Sequence, residues 1–455
     1  MLTQPNITKF IMDEYETFFS EVHEGVLMYP YFNKLKHKVN NRKANEFFSY
    51  IESSDIEPQD STLYVHFPFC KTKCLFCFWE MDLIKKGPEI IDSYINALKK
   101  ELIFYSQIKS IKEGKIKTLY FGGGTPSLLT LDQITDIFRF LKNTFDLTAI
   151  EEITYEFELG SITEEKISLL KDLGVTRMSC GWQTYDEKVR KAQGVISNIE
   201  DFHNALELLN NYNIPINIDL IYGLPGQTSE ICKKDIDQLL NTSLVSSVDL
   251  YKCEIPPGTL NYKYGIANKL FTMGEREKRE VYHYFRKKIL LAGWKMCSCQ
   301  LYYNPAVANS ILRYVDYIYE NYYNMIAAGP NCRGKIGNYY SLTVSGVDNY
   351  IREINNDHIP PLGLLALYDI KEISNINLIY FARRGMIKKS SLDNETLETE
   401  QSKLLFLAEM GYLEETEDSF LLTNKGMDYW STISEFFLSE QGKIDRQESY
   451  LDSCV

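Results

Sequence analysis

The chain has 455 residues but only six histidines, and no G-x-S-x-G occurs in it. A Ser-His-Asp hydrolase has no foothold here. No run of about 18 uncharged apolar residues is present, which argues against a membrane span. The opening segment, MLTQPNITKFIMDEYETFFSEVHEG, carries acids early and lacks the basic-then-apolar pattern of a signal peptide. Lysines and arginines are scattered and the net charge is −13, so nucleic acid is not an expected partner. Ten cysteines are too sparse for a disulfide scaffold, and a reducing cytoplasm is the simplest compartment. Tandem repeats, low-complexity linkers and the G-x-G-x-x-G dinucleotide fingerprint are also missing.

What the chain does have is a cluster. Three of the ten cysteines, Cys70, Cys74 and Cys77, fall in LYVHFPFCKTKCLFC (63–77). Three thiolates on one tight loop can hold three irons of a [4Fe–4S] cluster and leave the fourth iron open to substrate or cofactor. An incomplete zinc site and unpaired buried thiols are the alternatives. Zinc sites usually pair C-x2-C with a second Cys or His pair, and none follows here. His66 precedes the triplet and reads equally well as a packed strand residue.

From Leu63 onward, strand and helix signals alternate. Strands are expected at Leu63–Phe67, Lys117–Phe121, Glu152–Phe157, Arg177–Cys180, Ile216–Tyr222 and Ser247–Tyr251. Helices are expected at Asp92–Ser110, Asp132–Asn143, Thr163–Leu173, Asn198–Tyr212 and Thr228–Asn241. Alternation of this kind implies βαβ units around a parallel sheet. About six units fit before Ser298, too few for an eight-unit barrel, so a partial barrel or an open doubly wound sheet is expected. Residues 1–60 read as a helical extension and 61–300 as the α/β core. Residues 301–455 read as a smaller, mostly helical domain with a hairpin near Tyr412–Leu422. The dense tyrosines after Tyr302 read as packing.

Polar residues mark the strand ends. Gly122, Gly123 and Gly124 follow a strand, where glycine lets backbone N–H groups approach a ligand, although a plain turn explains them as well. Glu156 and Asp219 lie on later strands and Gln183 follows another. In parallel α/β folds such residues face one mouth. Asp219 sits in an otherwise apolar run, Asn-Ile-Asp-Leu-Ile, and a buried carboxylate needs a partner.

Together these segments resemble the radical S-adenosylmethionine superfamily, and within it the oxygen-independent coproporphyrinogen III oxidase-like branch. The resemblance is carried by LYVHFPFCKTKCLFC (63–77), YFGGGTPSLL (120–129), the strand with Glu156, SCGWQTYDEKV (179–189), NIDLIYGLPGQT (217–228) and KCEIPPGTLNYK (252–263). It implies a partial (β/α)6 TIM-like barrel with the two flanking segments above. It also implies a [4Fe–4S] cluster ligated by Cys70, Cys74 and Cys77, and an S-adenosylmethionine cleaved to a 5′-deoxyadenosyl radical. By the same resemblance Phe76 makes a backbone contact near the cluster, and Gly123, Gly124 and Thr125 hold the methionine end. Gln183 and Asp219 meet the ribose and Cys253 the adenine. Tyr64 and Glu156 match positions that help bind a second S-adenosylmethionine in this branch.

Departures shift the expected reaction. Trp79 stands where a further cysteine is expected in the oxidases, and Lys191-Ala-Gln-Gly-Val195 lacks an expected arginine. The H-N-x-x-Y-W signature of heme-chaperone members is absent from 300–330. The resemblance then points to relatives that transfer a methyl or methylene group from the second S-adenosylmethionine to an sp2 carbon of an aromatic acceptor, either a small molecule or peptide-borne. A tetrapyrrole enzyme, heme ring-opening or decarboxylating, is the alternative. A non-catalytic heme chaperone is the third reading. A reductant such as flavodoxin or ferredoxin is an implied partner.

Overall fold

A computed structural model describes residues 9–20, 37–53, 57–77, 81–83, 89–255, 259–307, 313–319, 323–357 and 359–453. Trp79 lies outside the described residues, as do 256–258 of the KCEIPPGTLNYK segment. Two helices come first, α1 (Lys9–Ser20) and α2 (Asn41–Glu52). Six parallel strands follow: β1 (Ser61–Phe67), β2 (Ile116–Gly123), β3 (Glu152–Glu156), β4 (Arg177–Gln183), β5 (Ile216–Tyr222) and β6 (Ser247–Lys252). Between them run α3 (Glu89–Gln107), α4 (Leu131–Thr144), α5 (Glu164–Asp172), α6 (Glu187–Ala192), α7 (Ile199–Asn211) and α8 (Ser229–Leu240), and α9 (Glu275–Leu291) follows β6. The partial (β/α)6 barrel that the resemblance implies, one of the two architectures the alternation allows, is the one found.

Side-chain alternation explains the layers. Leu63, Val65 and Phe67 of β1, Leu119 and Phe121 of β2, and Met178, Cys180 and Trp182 of β4 are buried. These residues face the helices: Phe121 stacks on Phe138 of α4 at 4.7 Å, and Trp182 on Phe202 of α7 at 4.3 Å. The intervening residues are polar and meet one another inside the barrel. Most core helices begin behind side-chain N-caps in the loops that follow the strands. Thr130 and Asn198 form capping boxes with Gln133 and Asp201, and Thr163, Asp186 and Thr228 cap α5, α6 and α8.

The sheet does not stop at β6. A hairpin of β7 (Lys295–Met296) and β8 (Leu301–Tyr303) adds to that edge. The short helix α10 (Arg313–Tyr319) comes next. On the opposite edge β9 (Asn324–Ala328) runs parallel to β1 and leads into antiparallel β10 (Arg333–Ile336), β11 (Tyr339–Thr343) and, past α11 (Val347–Asp357), β12 (Leu362–Leu367). The result is one twelve-stranded sheet, ordered β12-β11-β10-β9-β1-β2-β3-β4-β5-β6-β8-β7.

This corrects the expected organisation in two places. The boundary at 300 falls inside the β7–β8 hairpin, and 324–367 extends the main sheet instead of joining a helical domain. The reason is non-local pairing, since the open edge of β1 is completed by β9 from far along the chain. The N-terminal segment is also divided between two surfaces. Phe19 of α1 packs on Phe406, Tyr412 and Phe436, whereas Phe47 of α2 packs on Tyr339 of β11. The mostly helical C-terminal unit begins with α12 (Ile370–Arg384). It includes a small sheet of β13 (Met386–Lys388), β14 (Leu413–Glu415) and β15 (Ser419–Leu422), in which β14 and β15 form the expected hairpin. No described helix is long and apolar enough to cross a membrane.

Candidate active site

Strand polarity decides where the site lies. Because β1 to β6 are parallel, the loops after their C-terminal ends share one mouth. The cysteine loop follows β1. Its turn is closed by Cys77 N–H donating to the Cys74 carbonyl at 3.2 Å, and Leu75 N–H donates to the Gln193 carbonyl at 3.0 Å. Phe76 packs with Val189, Leu224 and Cys253. The loop is therefore braced by the segments that follow β4, β5 and β6.

The glycine turn of β2 presses on the same loop. Gly124 N–H donates to the Phe67 carbonyl at 2.8 Å. A Cβ at Gly124 would lie 2.6 Å from the Phe69 carbonyl oxygen, and one at Gly123 would lie 2.4 Å from the His66 ring. Gly123 also has φ +114°, so both positions need glycine. Thr125 follows, with Oγ1 3.5 Å from Cys70 Sγ.

Burial pushes the Cys74 thiol up to about 12, with Cys77 and Cys70 adding to the rise, and burial raises Cys70 as well. Such thiols ionise only beside a strong positive centre, and soft sulfur donors suit iron–sulfur chemistry. No group of three or more His, Cys, Asp or Glu side chains among the described residues converges on a single-ion site. The fit to a [4Fe–4S] cluster rests on the donor chemistry and on the bracing of the loop.

Inside the mouth, Glu156 accepts from Tyr120 Oη at 2.7 Å and from Gly123 N–H at 3.1 Å. Burial pushes its carboxyl up to about 7. Tyr64 Oη lies 3.2 Å from His66 Nδ1. Burial pushes His66 down to about 4, so the ring is neutral at pH 7. The ring of Tyr64 lies 5.7 Å from that of Tyr120, and Tyr314 of α10 approaches both, at 6.5 and 4.6 Å. The structure therefore brings Tyr64 and Glu156 into one tyrosine-walled corner.

Asp219 faces Asp249 across the β5–β6 pair. Asn217 Nδ2 donates to Asp219 at 2.9 Å, to Asp249 at 3.3 Å and to Ser179 at 3.1 Å. Burial raises both carboxyls, and the neighbouring Asp249 charge raises Asp219 further. Arg177 supplies the opposing charge to each. Its two terminal nitrogens are buried with no hydrogen-bond partner among the described residues. Gln183 ends β4 with φ +72°, and its Oε1 is buried without a partner. Its side chain folds over Gly181, where a Cβ would come 2.1 Å from Nε2. Cys253 is buried, with its N–H donating to the Tyr222 carbonyl at 2.8 Å and its carbonyl accepting from Lys278 Nζ at 2.9 Å. The backbone groups expected to meet adenine are thus already engaged within the protein, leaving the carbonyl's second lone pair.

Sequence reasoning missed Tyr120, Arg177, Asp249 and Tyr314. Asp249 carried a signal, because SVDLYK repeats the apolar-Asp-Leu pattern of NIDLIY. Tyr314 was expected as packing and instead lines the site.

Three comparisons bear on this geometry. Residues 64–239 match the Radical SAM superfamily. The heme chaperone HemW of Bacillus subtilis is 26% identical over 393 residues, covering 83% of this chain and 99% of the relative. The oxygen-independent coproporphyrinogen III oxidase of Helicobacter pylori is 25% identical over 389 residues, covering 81% and 84%. The Lactococcus lactis heme chaperone is 32% identical, but the match spans 57% of that protein. The solved coproporphyrinogen III oxidase (HemN) of Escherichia coli superposes with a TM-score of 0.75 at 19% identity, over 92% of this chain and 99% of that one, which establishes the fold. The superfamily's cofactors are a [4Fe–4S] cluster and S-adenosylmethionine. Residues 64–239 are thus a Radical SAM superfamily domain, in a chain homologous to the heme chaperones and oxygen-independent coproporphyrinogen III oxidases.

Proposed function

We propose that the chain is a radical S-adenosylmethionine enzyme acting on a tetrapyrrole. The observation that carries this reading is the meeting, at one mouth, of the cysteine loop, the glycine turn, Gln183, Asp219 and the Tyr64–Glu156 corner, in a chain whose near full-length relatives are tetrapyrrole proteins. Cys70, Cys74 and Cys77 hold the cluster, which with S-adenosylmethionine supplies a 5′-deoxyadenosyl radical for hydrogen abstraction. Gly123, Gly124 and Thr125 seat the methionine end. Asp219 and Gln183 orient the ribose, and Cys253 borders the adenine. Phe76 keeps the cysteine loop against that border.

Tyr64 and Glu156 position a second ligand, either a second S-adenosylmethionine or the edge of the substrate. Glu156, poised near neutrality, holds a proton below about pH 7 and releases it above. The apolar shell and the loops around the mouth exclude water. Methyl or methylene transfer to an sp2 carbon has no support in the full-length relatives, so the tetrapyrrole reading leads. A flavodoxin or ferredoxin in a reducing cytoplasm would supply the electron.

The similarity to the Bacillus subtilis chaperone over nearly its whole length favours a second reading, heme binding without catalysis. Anaerobic reconstitution separates the two. The enzyme reading expects 5′-deoxyadenosine and a mass change in coproporphyrinogen III or heme. Stable stoichiometric heme binding with no 5′-deoxyadenosine would select the chaperone instead.

A further inference from the structure

Gln183 is held in a conformation that its own chemistry disfavours. Its φ of +72° is left-handed, a region that costs most residues other than glycine, asparagine and aspartate. Strain of this kind persists only where the surroundings enforce it. The enforcing group is Arg190, one turn into the short helix that follows. Arg190 Nη1 donates to the carbonyls of both Trp182 and Thr184, the second at 3.2 Å, so one nitrogen grips the residues on either side of Gln183. Nη2 donates to the Ser197 carbonyl at 2.9 Å and to Ser197 Oγ at 2.7 Å. The guanidinium also lies 3.7 Å from the Trp182 ring centroid, and that ring is fully buried. Arg190 itself is 3% exposed, so its charge has no alternative partner in water.

The same short segment braces the cysteine loop. The Gln193 carbonyl accepts from Leu75 N–H, and a Cβ on Gly194 would lie 3.4 Å from the Lys73 carbonyl oxygen. A second anchor acts beyond Gln183, where Asp235 accepts from Tyr185 N–H at 2.7 Å and from Thr184 Oγ1 at 2.8 Å. Arg190 thus grips the strand end that presents Gln183 from the same short segment whose Gln193 and Gly194 border the cluster loop.

We propose that Arg190 is a positioning residue for S-adenosylmethionine, gripping the carbonyls on either side of Gln183 to hold that side chain over Gly181 at the ribose position. The proposal rests on the reading of Gln183 given above. A planar fork is required, because a lysine ammonium cannot bridge the Trp182 and Thr184 carbonyls while reaching Ser197.

The test uses the full chain with Arg190→Gln, Arg190→Lys and Gln183→Ala. S-adenosylmethionine affinity is measured on reconstituted protein at matched iron content. Amide exchange of the 181–186 segment is followed by mass spectrometry without cofactor. Arg190→Gln is expected to weaken binding about tenfold and to speed exchange at Thr184 and Tyr185. Arg190→Lys should lose about threefold on the same scale. If Gln183→Ala weakens binding but Arg190→Gln does not, the grip is refuted and the site reading survives. If Gln183→Ala binds normally, the site reading itself fails. Should Arg190→Gln not fold, Arg190→Lys decides, and unchanged affinity with unchanged exchange overturns the proposal.

Discussion

The parallel half of the sheet and its antiparallel annex bury carboxylates in opposite ways. In the parallel half, Glu156, Asp219 and Asp249 lie on the inner side, sharing a few donors and leaving Arg177 and Gln183 atoms without partners. Behind β9 and β10, Glu101 is fully buried and receives the Gly329 N–H at 2.8 Å and the Tyr350 hydroxyl at 2.5 Å on one oxygen. The first arrangement leaves both terminal nitrogens of Arg177 and Oε1 of Gln183 unmet around its carboxylates, whereas the second leaves a single atom unmet, Oε1 of Glu101 itself, among the described residues. The second ties α3 to α11 and β9 and is closed. Unspent hydrogen-bonding capacity inside a barrel marks a place prepared for a ligand, whereas a carboxylate gripped by its own fold marks a lock.

Removing thiols should separate the two halves most sharply. The triple replacement of Cys70, Cys74 and Cys77 by Ala is expected to abolish bound iron after anaerobic reconstitution. Cys332→Ala in the annex, also a buried thiol, should leave iron content unchanged. Iron retained by the triple variant, or lost from Cys332→Ala, would break the comparison.

Glycine substitution comes next. Gly124→Ala drives a Cβ to 2.6 Å from the Phe69 carbonyl and 2.8 Å from that of Phe67, both backbone atoms that cannot swing away. A loss of about 3 kcal/mol in chemical denaturation is expected. Gly334→Ala in β10 meets only Ser341 Oγ at 3.0 Å and the Met325 carbonyl at 3.3 Å, and should cost about 1 kcal/mol. Equal losses would mean that the glycine turn is no tighter than an ordinary sheet position.

The two halves were not equally legible in the sequence. Strand β5 was found at its observed bounds, and β6 and most core helices within a residue or two, because apolar alternation and the Thr and Asn caps are local signals. Strands β10 and β11, RGKI and YYSLT, carry no apolar alternation, and their place depends on a distant edge of β1. The cysteines, glycines and polar strand residues were legible because each lies on or just after a strand that the sequence pattern marks. Tyr120, Arg177 and Tyr314 were not, since what makes them part of the site is the ring and charge neighbours that only the folded partial barrel supplies.

Asp219→Ala sharpens the contrast through binding. On the ribose role proposed for it, losing its hydrogen bonds to the ribose hydroxyls should weaken S-adenosylmethionine binding about a hundredfold. The same change relieves repulsion with Asp249, so the melting temperature should hold or rise. A stability loss with unchanged affinity would make Asp219 a structural residue and the inner carboxylates a lock like Glu101.

The smallest effect tests the lock itself. Burial pushes Glu101 from an ordinary 4.5 to about 8, and the bonds from Tyr350 and Gly329 only partly offset this. Between those values the folded chain keeps a proton that the unfolded chain releases. Stability therefore falls as pH rises from about 4.5 to 8 and levels off above, because ionising this carboxyl is harder in the native state. Glu101→Gln removes the titration and keeps an accepting oxygen for the Gly329 N–H and the Tyr350 hydroxyl. Well below pH 4.5 the variant should match the parent chain. At pH 6 it should be more stable by at most about 2 kcal/mol, with the gap widening toward pH 8. Denaturation curves across that range that run parallel for the two chains would show that Glu101 does not titrate on folding, and the closed half would then differ from the open one in geometry alone.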